Sequence, residues 1–342
     1  MSMRRYIWAV FLITLFTLTG CNWDPPHDNV FDPGNPNYKP LGSLYIKVLT
    51  YWPPQRPIGD ATVWLPELGR LRCTDSKGEV SFSELPEGEW WVIAYRDIIP
   101  DTAYARDSIR VTINQAMQTH DSLRLDALPF FRNVRVNSKT VVDRDNQGNV
   151  YKNVYAILTA QADDPDGIGD IERIEWRLLN LMEGTLDFKR DSIYWQVEIP
   201  SEDFPGGDLI NTLTLPFTFE AYDNLGNSSQ SITTLARVIT DVPVLRSVTP
   251  AVRQPILRWL FYWNHPFRNT DSFSYLVRIL STDAEPELVY QRYISATPEA
   301  GYEEEHLVEE PLTFGSSYLW EVWVIDLFGN HSISLRPGFT VE

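Results

Sequence analysis

The 342-residue sequence predicts an all-β protein made of β-sandwiches in tandem. From Gly42 onwards, apolar and polar residues alternate over short segments, and no stretch keeps the 3.6-residue period of a helix. Glycine, proline, asparagine and aspartate separate these segments at short intervals, as turns between strands require. Hydrophobic residues make up 43% of the chain, which is enough to fill several cores. We therefore expect three sandwiches behind a leader and a tether.

Residues 1–20 have the pattern of a secretory signal peptide. Arg4 and Arg5 precede an apolar stretch over residues 6–18, and small residues follow it. The stretch is shorter than the roughly 20 residues that a membrane-spanning helix needs. We therefore expect the leader to be cleaved rather than kept as a span.

The segment Leu18-Thr19-Gly20-Cys21 resembles the lipobox of bacterial lipoproteins. The resemblance implies that Cys21 receives a diacylglyceryl group, is acylated again and becomes the first mature residue, so that several acyl chains hold the protein on a membrane. Asn22 stands where aspartate retains enteric lipoproteins on the inner membrane, so the resemblance favours the outer membrane of a bacterial envelope. The alternative is an ordinary signal peptide with an incidental cysteine.

The charge balance narrows the classes of partner. The formal net charge is −17, and it becomes −19 once the leader and its two arginines are removed. An acidic chain lacks the basic face that a nucleic-acid backbone requires, so we expect no nucleic-acid partner. It is also repelled by anionic lipid, so the acyl chains must do the anchoring. With Cys21 acylated, Cys73 has no cysteine partner within the chain, and stability must come from packing.

Residues 21–41 are predicted to form a flexible tether behind the lipidated cysteine. Prolines hold such a segment extended at about 3 Å per residue, which would place the first sandwich away from the bilayer. The prolines of this segment are Pro25, Pro26, Pro33, Pro36 and Pro40.

The first sandwich is expected over residues 42–127. Its turns are marked by Asp75 and Gly78 and by Pro86 and Gly88, and Trp90 and Trp91 follow as strand neighbours, one pointing inwards and one outwards. The alternating segments predict strands at 43–49, 61–65, 80–82, 90–95, 108–113 and 122–125.

This block resembles the carboxypeptidase regulatory-like domain, a prealbumin-type sandwich that is itself non-catalytic. The resemblance rests on Thr74-Asp75, Gly78, Phe82, Leu85-Pro86, Gly88 and Trp90, preceded by residues 57–63. Trp90 replaces the tyrosine usual in that family. Cys73 is expected to face the core as a small apolar residue.

The second and third blocks, residues 128–243 and 244–342, share a repeated turn. Residues 223–228 read Asp-Asn-Leu-Gly-Asn-Ser, and residues 326–332 read Asp-Leu-Phe-Gly-Asn-His-Ser. Each follows a strand and precedes a serine-bearing return strand, which indicates a repeated sandwich module. In the second block, strands are predicted at 133–136, 151–161, 174–179, 192–199 and 213–222.

The third block resembles a fibronectin type III domain, and the second resembles bacterial Ig-like domains more loosely. In the third block the resemblance rests on a tryptophan-bearing strand at 255–259, a strand at 275–279 and the run 312–318. It implies that Trp259 is a core residue and that the Tyr318 hydroxyl bonds to upstream backbone, as in a tyrosine corner.

Acidic residues are concentrated in two loops of the second block. In an Ig-like topology these loops lie at the same end of the sandwich, so their oxygens are predicted to form a Ca²⁺ site. The alternative is that aspartate and glycine only make good turns. An EF-hand is excluded because Ile168 occupies a ligand position and a strand pattern follows the loop. The predicted ligands are Asp163, Asp164, Asp166, Asp170, Asp223 and Asn227.

The sequence supports no catalytic constellation. The histidines are scattered, there is no nucleophile elbow or phosphate loop, and His306 with Glu309 copies the His-x-x-Glu of zinc carboxypeptidases only in spacing. We expect a membrane-anchored, non-catalytic binding, adhesion or scaffold lipoprotein with a protein or glycan partner. One alternative is a glycan-binding accessory module of a polysaccharide uptake or degradation system, which aromatics on one sheet face would favour. The other is an enzyme with a hidden site, which would require a pocket joining distant acidic residues and His265 or His306.

Overall fold

The computed structural model describes residues 27–32, 34–97, 103–191, 193–248, 252–262, 273–295 and 303–342. The signal peptide and Cys21 lie outside the described residues. Regular structure in the described part is almost entirely strand, interrupted only by short 3-10 turns, which confirms the all-β class. The described helices include none long and apolar enough to cross a membrane.

The chain divides into two compact units. Among the described residues, the first unit lies within 27–96 and 106–125, and the second lies within 97–105 and 126–342. Of the predicted first sandwich at 42–127, residues 42–96 and 106–125 lie in the first unit, and the two later blocks lie in the second.

The first unit is a sandwich of a three-stranded and a four-stranded sheet, ordered β4-β1-β7 and β3-β2-β5-β6. Leu44, Ile46 and Val48 alternate inwards along β1, as the period of two predicts. All six predicted strands are present, and the edge strand β3 is an addition. The strands are β1 Gly42–Thr50, β2 Thr62–Leu65, β3 Arg70–Cys73, β4 Glu79–Leu85, β5 Gly88–Arg96, β6 Tyr104–Ile113 and β7 Gln118–Leu125.

Cys73 corrects one prediction, because its side chain is exposed and not in the core. It ends β3, which pairs with β2 alone and leaves three of its four residues exposed. An edge strand of this kind contributes little to the core, so its alternation does not bury the thiol.

The second unit begins with a sandwich whose core includes Trp176, Phe217 and Leu158. One sheet has the order β11-β10-β14-β15, and β12-β13-β9-β8 faces it. The strands are β8 Phe130–Arg144, β9 Val150–Asp163, β10 Ile171–Leu178, β11 Met182–Thr185, β12 Asp187–Lys189, β13 Tyr194–Pro200, β14 Pro216–Asp223 and β15 Ser228–Thr234.

A second core in this unit is built around Trp259, Trp320 and Val277. It lies between the strands β16-β17-β20 and β22-β21-β18-β19, and β23 pairs with β21. These strands are β16 Val244–Leu245, β17 Ile256–Leu260, β18 Phe273–Ser281, β19 Leu288–Ser295, β20 Glu303–Leu307, β21 Ser317–Asp326, β22 His331–Ile333 and β23 Gly338–Thr340.

The two cores share one continuous sheet, because β22 pairs in parallel with β8 from His331 against Lys139 to Ile333 against Val141. Two inferences from the third block are confirmed. Trp259 is fully buried. The Tyr318 hydroxyl accepts a hydrogen bond from the Thr313 backbone N–H at 3.1 Å.

Candidate functional site

The repeated turn of the sequence is a repeated hydrogen-bond unit in the structure. Asp223 Oδ1 accepts from the backbone N–H of Leu225 at 2.9 Å and of Asn227 at 2.8 Å. Gly226 has a φ of 86°, a left-handed conformation that favours glycine. The Asp-x-x-Gly-Asn spacing therefore lets one carboxylate oxygen hold the loop closed.

Two other turns of the chain have the same spacing and the same contacts. Asp145 Oδ1 accepts from the N–H groups of Gln147 and Asn149. Asp326 Oδ1 accepts from those of Phe328 and Asn330. In both, the final asparagine also donates its side-chain amide to the second oxygen of its own aspartate, at 2.8 Å in the first and 2.9 Å in the second.

The turn at Asp223 differs from these two in that last contact. Asn227 Nδ2 donates instead to Asp126 Oδ2, at 2.7 Å. Asp223 Oδ2 is left buried with no hydrogen-bond partner among the described residues, and Asp223 itself is 0% exposed. A buried charged oxygen without a partner costs free energy, so something else must compensate it.

Asp223 belongs to a cluster of five aspartates drawn from three places in the second unit. Asp126 follows β7, and Asp164, Asp166 and Asp170 lie in the loop between β9 and β10. Asp223 ends β14 and pairs with Ile171. One carboxylate oxygen from each of Asp126, Asp166 and Asp170 lies within 4.8 Å of the others. The two acidic loops do meet, since Asn224 Nδ2 donates to Asp170 Oδ1 at 2.8 Å.

N–H donors hold one oxygen of each remaining carboxylate in place. The Ala127 N–H donates to Asp166 Oδ2 at 3.0 Å, and the Asp166 N–H donates to Asp164 Oδ1 at 2.8 Å. These contacts orient the two side chains without a bound ligand.

The opposite oxygens of two more cluster members also lack a donor. Asp126 Oδ1 and Asp164 Oδ2 are buried with no hydrogen-bond partner among the described residues. Burial, and then the neighbouring carboxylate of Asp223, raise the pKa of Asp126 to about 8. Burial also raises the pKa of Asp164 to about 7, although its hydrogen bond from the Asp166 N–H opposes the rise. Without a cation, these groups therefore hold protons that ordinary aspartates release.

The structure separates the six predicted ligands by role. Asp164, Asp166, Asp170 and Asp223 lie near enough to interact electrostatically with one another or with Asp126, while Asn227 orients Asp126. Both oxygens of Asp163 have other partners: Oδ2 accepts from Arg132 Nε at 3.1 Å, and Oδ1 accepts from the Asp164 N–H. Sequence reasoning misses Asp126, because it falls at the end of the predicted first sandwich, outside both acidic loops.

A second surface of interest lies on the first unit, where the outer face of β2 and β5 carries aromatic side chains. Trp91 is 42% exposed, and Trp64 and Tyr95 are half-buried. Trp90 points the other way and donates its indole N–H to the Pro86 carbonyl, so the prediction for the tryptophan pair is confirmed.

Two arginines of β6 lie over these rings. The Arg106 guanidinium carbon is 5.7 Å from the Trp64 ring centroid and 5.5 Å from that of Tyr95. The Arg110 guanidinium carbon is 5.8 Å from the Trp91 centroid. We call Trp64, Trp91, Tyr95, Arg106 and Arg110 the aromatic-arginine face.

Neither the aspartate cluster nor the aromatic-arginine face includes a histidine. His306, the histidine of the His-x-x-Glu spacing, contacts Tyr290 instead. His306 Nε2 is 2.7 Å from the Tyr290 hydroxyl, and the two rings stack. A cavity of about 680 Å³ lies beside the seam of β8 and β22, lined mainly by valine, leucine and proline and by Arg144 and Arg336. His265 lies outside the described residues.

No known family model matches the chain, and no curated protein matches it. Solved structures similar to parts of it include the Bacillus anthracis TIE protein, at 10% identity and a TM-score of 0.25, over 89% of this chain and 49% of that one. Another is a "putative carbohydrate binding protein" of Bacteroides uniformis, at 8% sequence identity and a TM-score of 0.23, over 57% of this chain and 100% of that one.

A third is a DUF3823 family protein of Bacteroides ovatus, at 14% identity and a TM-score of 0.23, over 57% of this chain and 96% of that one. The chain thus spans about half the length of the first of these proteins. Identities and TM-scores this low carry no argument about function.

Proposed function

We propose that this chain is a lipid-anchored, non-catalytic binding or scaffold protein of a bacterial cell envelope. The sandwich modules resemble carboxypeptidase regulatory-like, Ig-like and fibronectin type III domains, which fits a string of binding modules. The observation that supports a binding role is the aromatic-arginine face, because exposed tryptophan on a sheet is a surface that a partner can cover.

The proposed anchor is the acylated Cys21. The mature protein should fractionate with membranes, and mass spectrometry of its N-terminal peptide should find a diacylglyceryl group on Cys21. In a Cys21→Ser variant the protein should leave the membrane fraction. If the unsubstituted protein were soluble with a free Cys21, the anchor would be refuted.

A glycan-binding role is the second candidate, and the composition of the aromatic-arginine face favours it. Aromatic rings stack on the apolar faces of sugars, and arginine makes charge-assisted hydrogen bonds with carboxylates. The net charge of the chain is negative, yet this face presents Arg106 and Arg110, the latter paired with Glu89 at 3.3 Å. The fitting occupant is therefore an acidic polysaccharide.

Affinity for polygalacturonate and for a neutral glucan tests this candidate. Trp91→Ala should weaken polygalacturonate binding at least tenfold, and Arg106→Gln should reduce the preference for the acidic polymer. Tyr293→Ala, which removes a 64% exposed aromatic from the second unit, is the matched control and should bind as the unsubstituted protein does. Equal binding by Trp91→Ala and Tyr293→Ala would assign the face to a protein partner or to none.

A further inference from the structure

Three buried carboxylate oxygens, Asp126 Oδ1, Asp164 Oδ2 and Asp223 Oδ2, have no hydrogen-bond partner among the described residues. We propose that Asp126, Asp164, Asp166, Asp170 and Asp223 bind Ca²⁺ in the second unit. The proposal does not depend on the aromatic-arginine face.

Geometry supports a single central ion. Ca²⁺ binds oxygen at about 2.3–2.6 Å, so ligands on opposite sides of it lie roughly 5 Å apart. The oxygens of Asp126, Asp166 and Asp170 lie within 4.8 Å of one another, which matches that spacing. These three carboxylates therefore need little movement to close around an ion.

Comparison of the three Asp-x-x-Gly-Asn turns supports a bound ligand more strongly than the number of acidic residues does. The turns at Asp145 and Asp326 use their asparagine to satisfy both aspartate oxygens. In the turn at Asp223 the asparagine instead orients Asp126, and buried oxygens of both Asp126 and Asp223 remain without a donor. A turn that served only to connect strands would gain stability from the contact that Asn227 gives up.

The chemistry of the ligands favours calcium over other metals. All five are carboxylates, which suit a hard cation, and no histidine or thiol contributes. Mg²⁺ demands near-ideal octahedral geometry and keeps several waters, whereas Ca²⁺ accepts six to eight oxygens in irregular arrangements. Carboxylates from three separate chain segments form an irregular ligand set, which suits Ca²⁺ better than Mg²⁺.

Binding would join three parts of the second unit: the segment that begins with Asp126, the loop between β9 and β10, and the end of β14. Because Ca²⁺ bound to the folded state alone stabilises it by mass action, the thermal midpoint of the protein should rise with calcium concentration.

The experiment uses the mature chain, residues 21–342 with Cys21→Ser, freed of metal by a chelator and titrated with CaCl₂. Calorimetry should show saturable binding, and saturating calcium should raise the midpoint by about 5 to 10 °C. MgCl₂ at the same concentration should give a shift less than half as large. Circular dichroism in chelator establishes that each variant is folded before it is titrated.

Two variants make the test specific. Asp223→Asn should lose the calcium response, whereas Asp145→Asn, the same substitution in a turn whose oxygens are both satisfied, should keep it. Absence of saturable binding would overturn the proposal, as would equal losses in the two variants or an equal response to magnesium. If Asp223→Asn does not fold, Asp164→Asn takes its place.

Discussion

Asn227 donates its side-chain amide to Asp126, 101 residues earlier, at 2.7 Å. In the two other turns of the same design the asparagine donates to the aspartate four residues before it. A short local contact has thus been exchanged for a long-range one that positions a carboxylate from another segment. The exchange brings a fifth carboxylate into the acidic cluster.

Asp223→Asn should stabilise the metal-free protein. In chelator the substituted amide removes one charge from the cluster and provides a donor beside Asp126, while its oxygen still accepts from the N–H groups of Leu225 and Asn227. We expect the free energy of unfolding to rise by about 1 kcal/mol, as measured by urea denaturation.

The matched substitution Asp326→Asn should do the opposite. Asp326 Oδ2 accepts from Asn330 Nδ2 at 2.9 Å and faces Arg237 Nε at 3.4 Å, so an amide there loses an ion pair and opposes a donor. We expect a loss of about 1–3 kcal/mol with or without calcium. Destabilisation by both substitutions in chelator would contradict our account of the cluster.

Tyr318→Phe should weaken the third block. The Tyr318 hydroxyl accepts from the Thr313 N–H, and Tyr318 packs against Phe339 in the core. Removing the hydroxyl leaves the ring in place but deprives that N–H of its acceptor. We expect a loss of about 1–3 kcal/mol in denaturant-induced unfolding, and no loss would mean that water replaces the hydroxyl.

The sequence alone predicts the local features of the fold well, namely its strands and turns. The period of two located most strands, and the Asp-x-x-Gly-Asn spacing located the turns, because both depend on neighbouring residues. Asp126 was missed because its role depends on Asn227, a contact across 101 residues that no local pattern records. Asp163 is a neighbour of the predicted ligands in sequence, but its carboxylate pairs with Arg132.

The continuous sheet of the second unit could not be predicted from the sequence either. The short strand β22 pairs with β8 in parallel, and neither strand has a turn or a pattern that marks the other as its partner. Ile239 likewise precedes the predicted boundary at 243 yet packs in the core around Trp259. Sequence patterns indicate which face of a strand is buried, but not which strand lies beside it.

Cys73 should react rapidly with thiol reagents in the folded protein. It is exposed at the end of an edge strand, so a maleimide can reach it without unfolding. In the Cys21→Ser background we expect one modified thiol per chain at a rate close to that in denaturant. Protection by more than about a hundredfold would show a buried thiol and restore the original prediction.

His331 should make stability depend on pH. Its ring stacks on Trp323 at 5.1 Å with a 7° interplanar angle, and its Nδ1 is 3.3 Å from the Gly329 carbonyl. Burial lowers the pKa of His331, and nearby Lys139 lowers it further, although the Gly329 carbonyl and the carboxylates of Glu198 and Asp326 oppose the change. The folded state therefore favours the neutral imidazole.

The direction of the pH effect on stability follows from proton binding in the folded and unfolded states. As the pH falls through about 6.5, the unfolded chain takes up a proton at this histidine that the folded chain does not, so stability is lost. His331→Asn keeps a donor for the Gly329 carbonyl but removes the titration. The stability difference between the unsubstituted protein and this variant should shrink by about 1 kcal/mol between pH 8 and pH 5.5, measured by urea denaturation at each pH. Because the other titrating groups are common to both proteins, a constant difference would show that His331 is protonated equally in the folded and unfolded states.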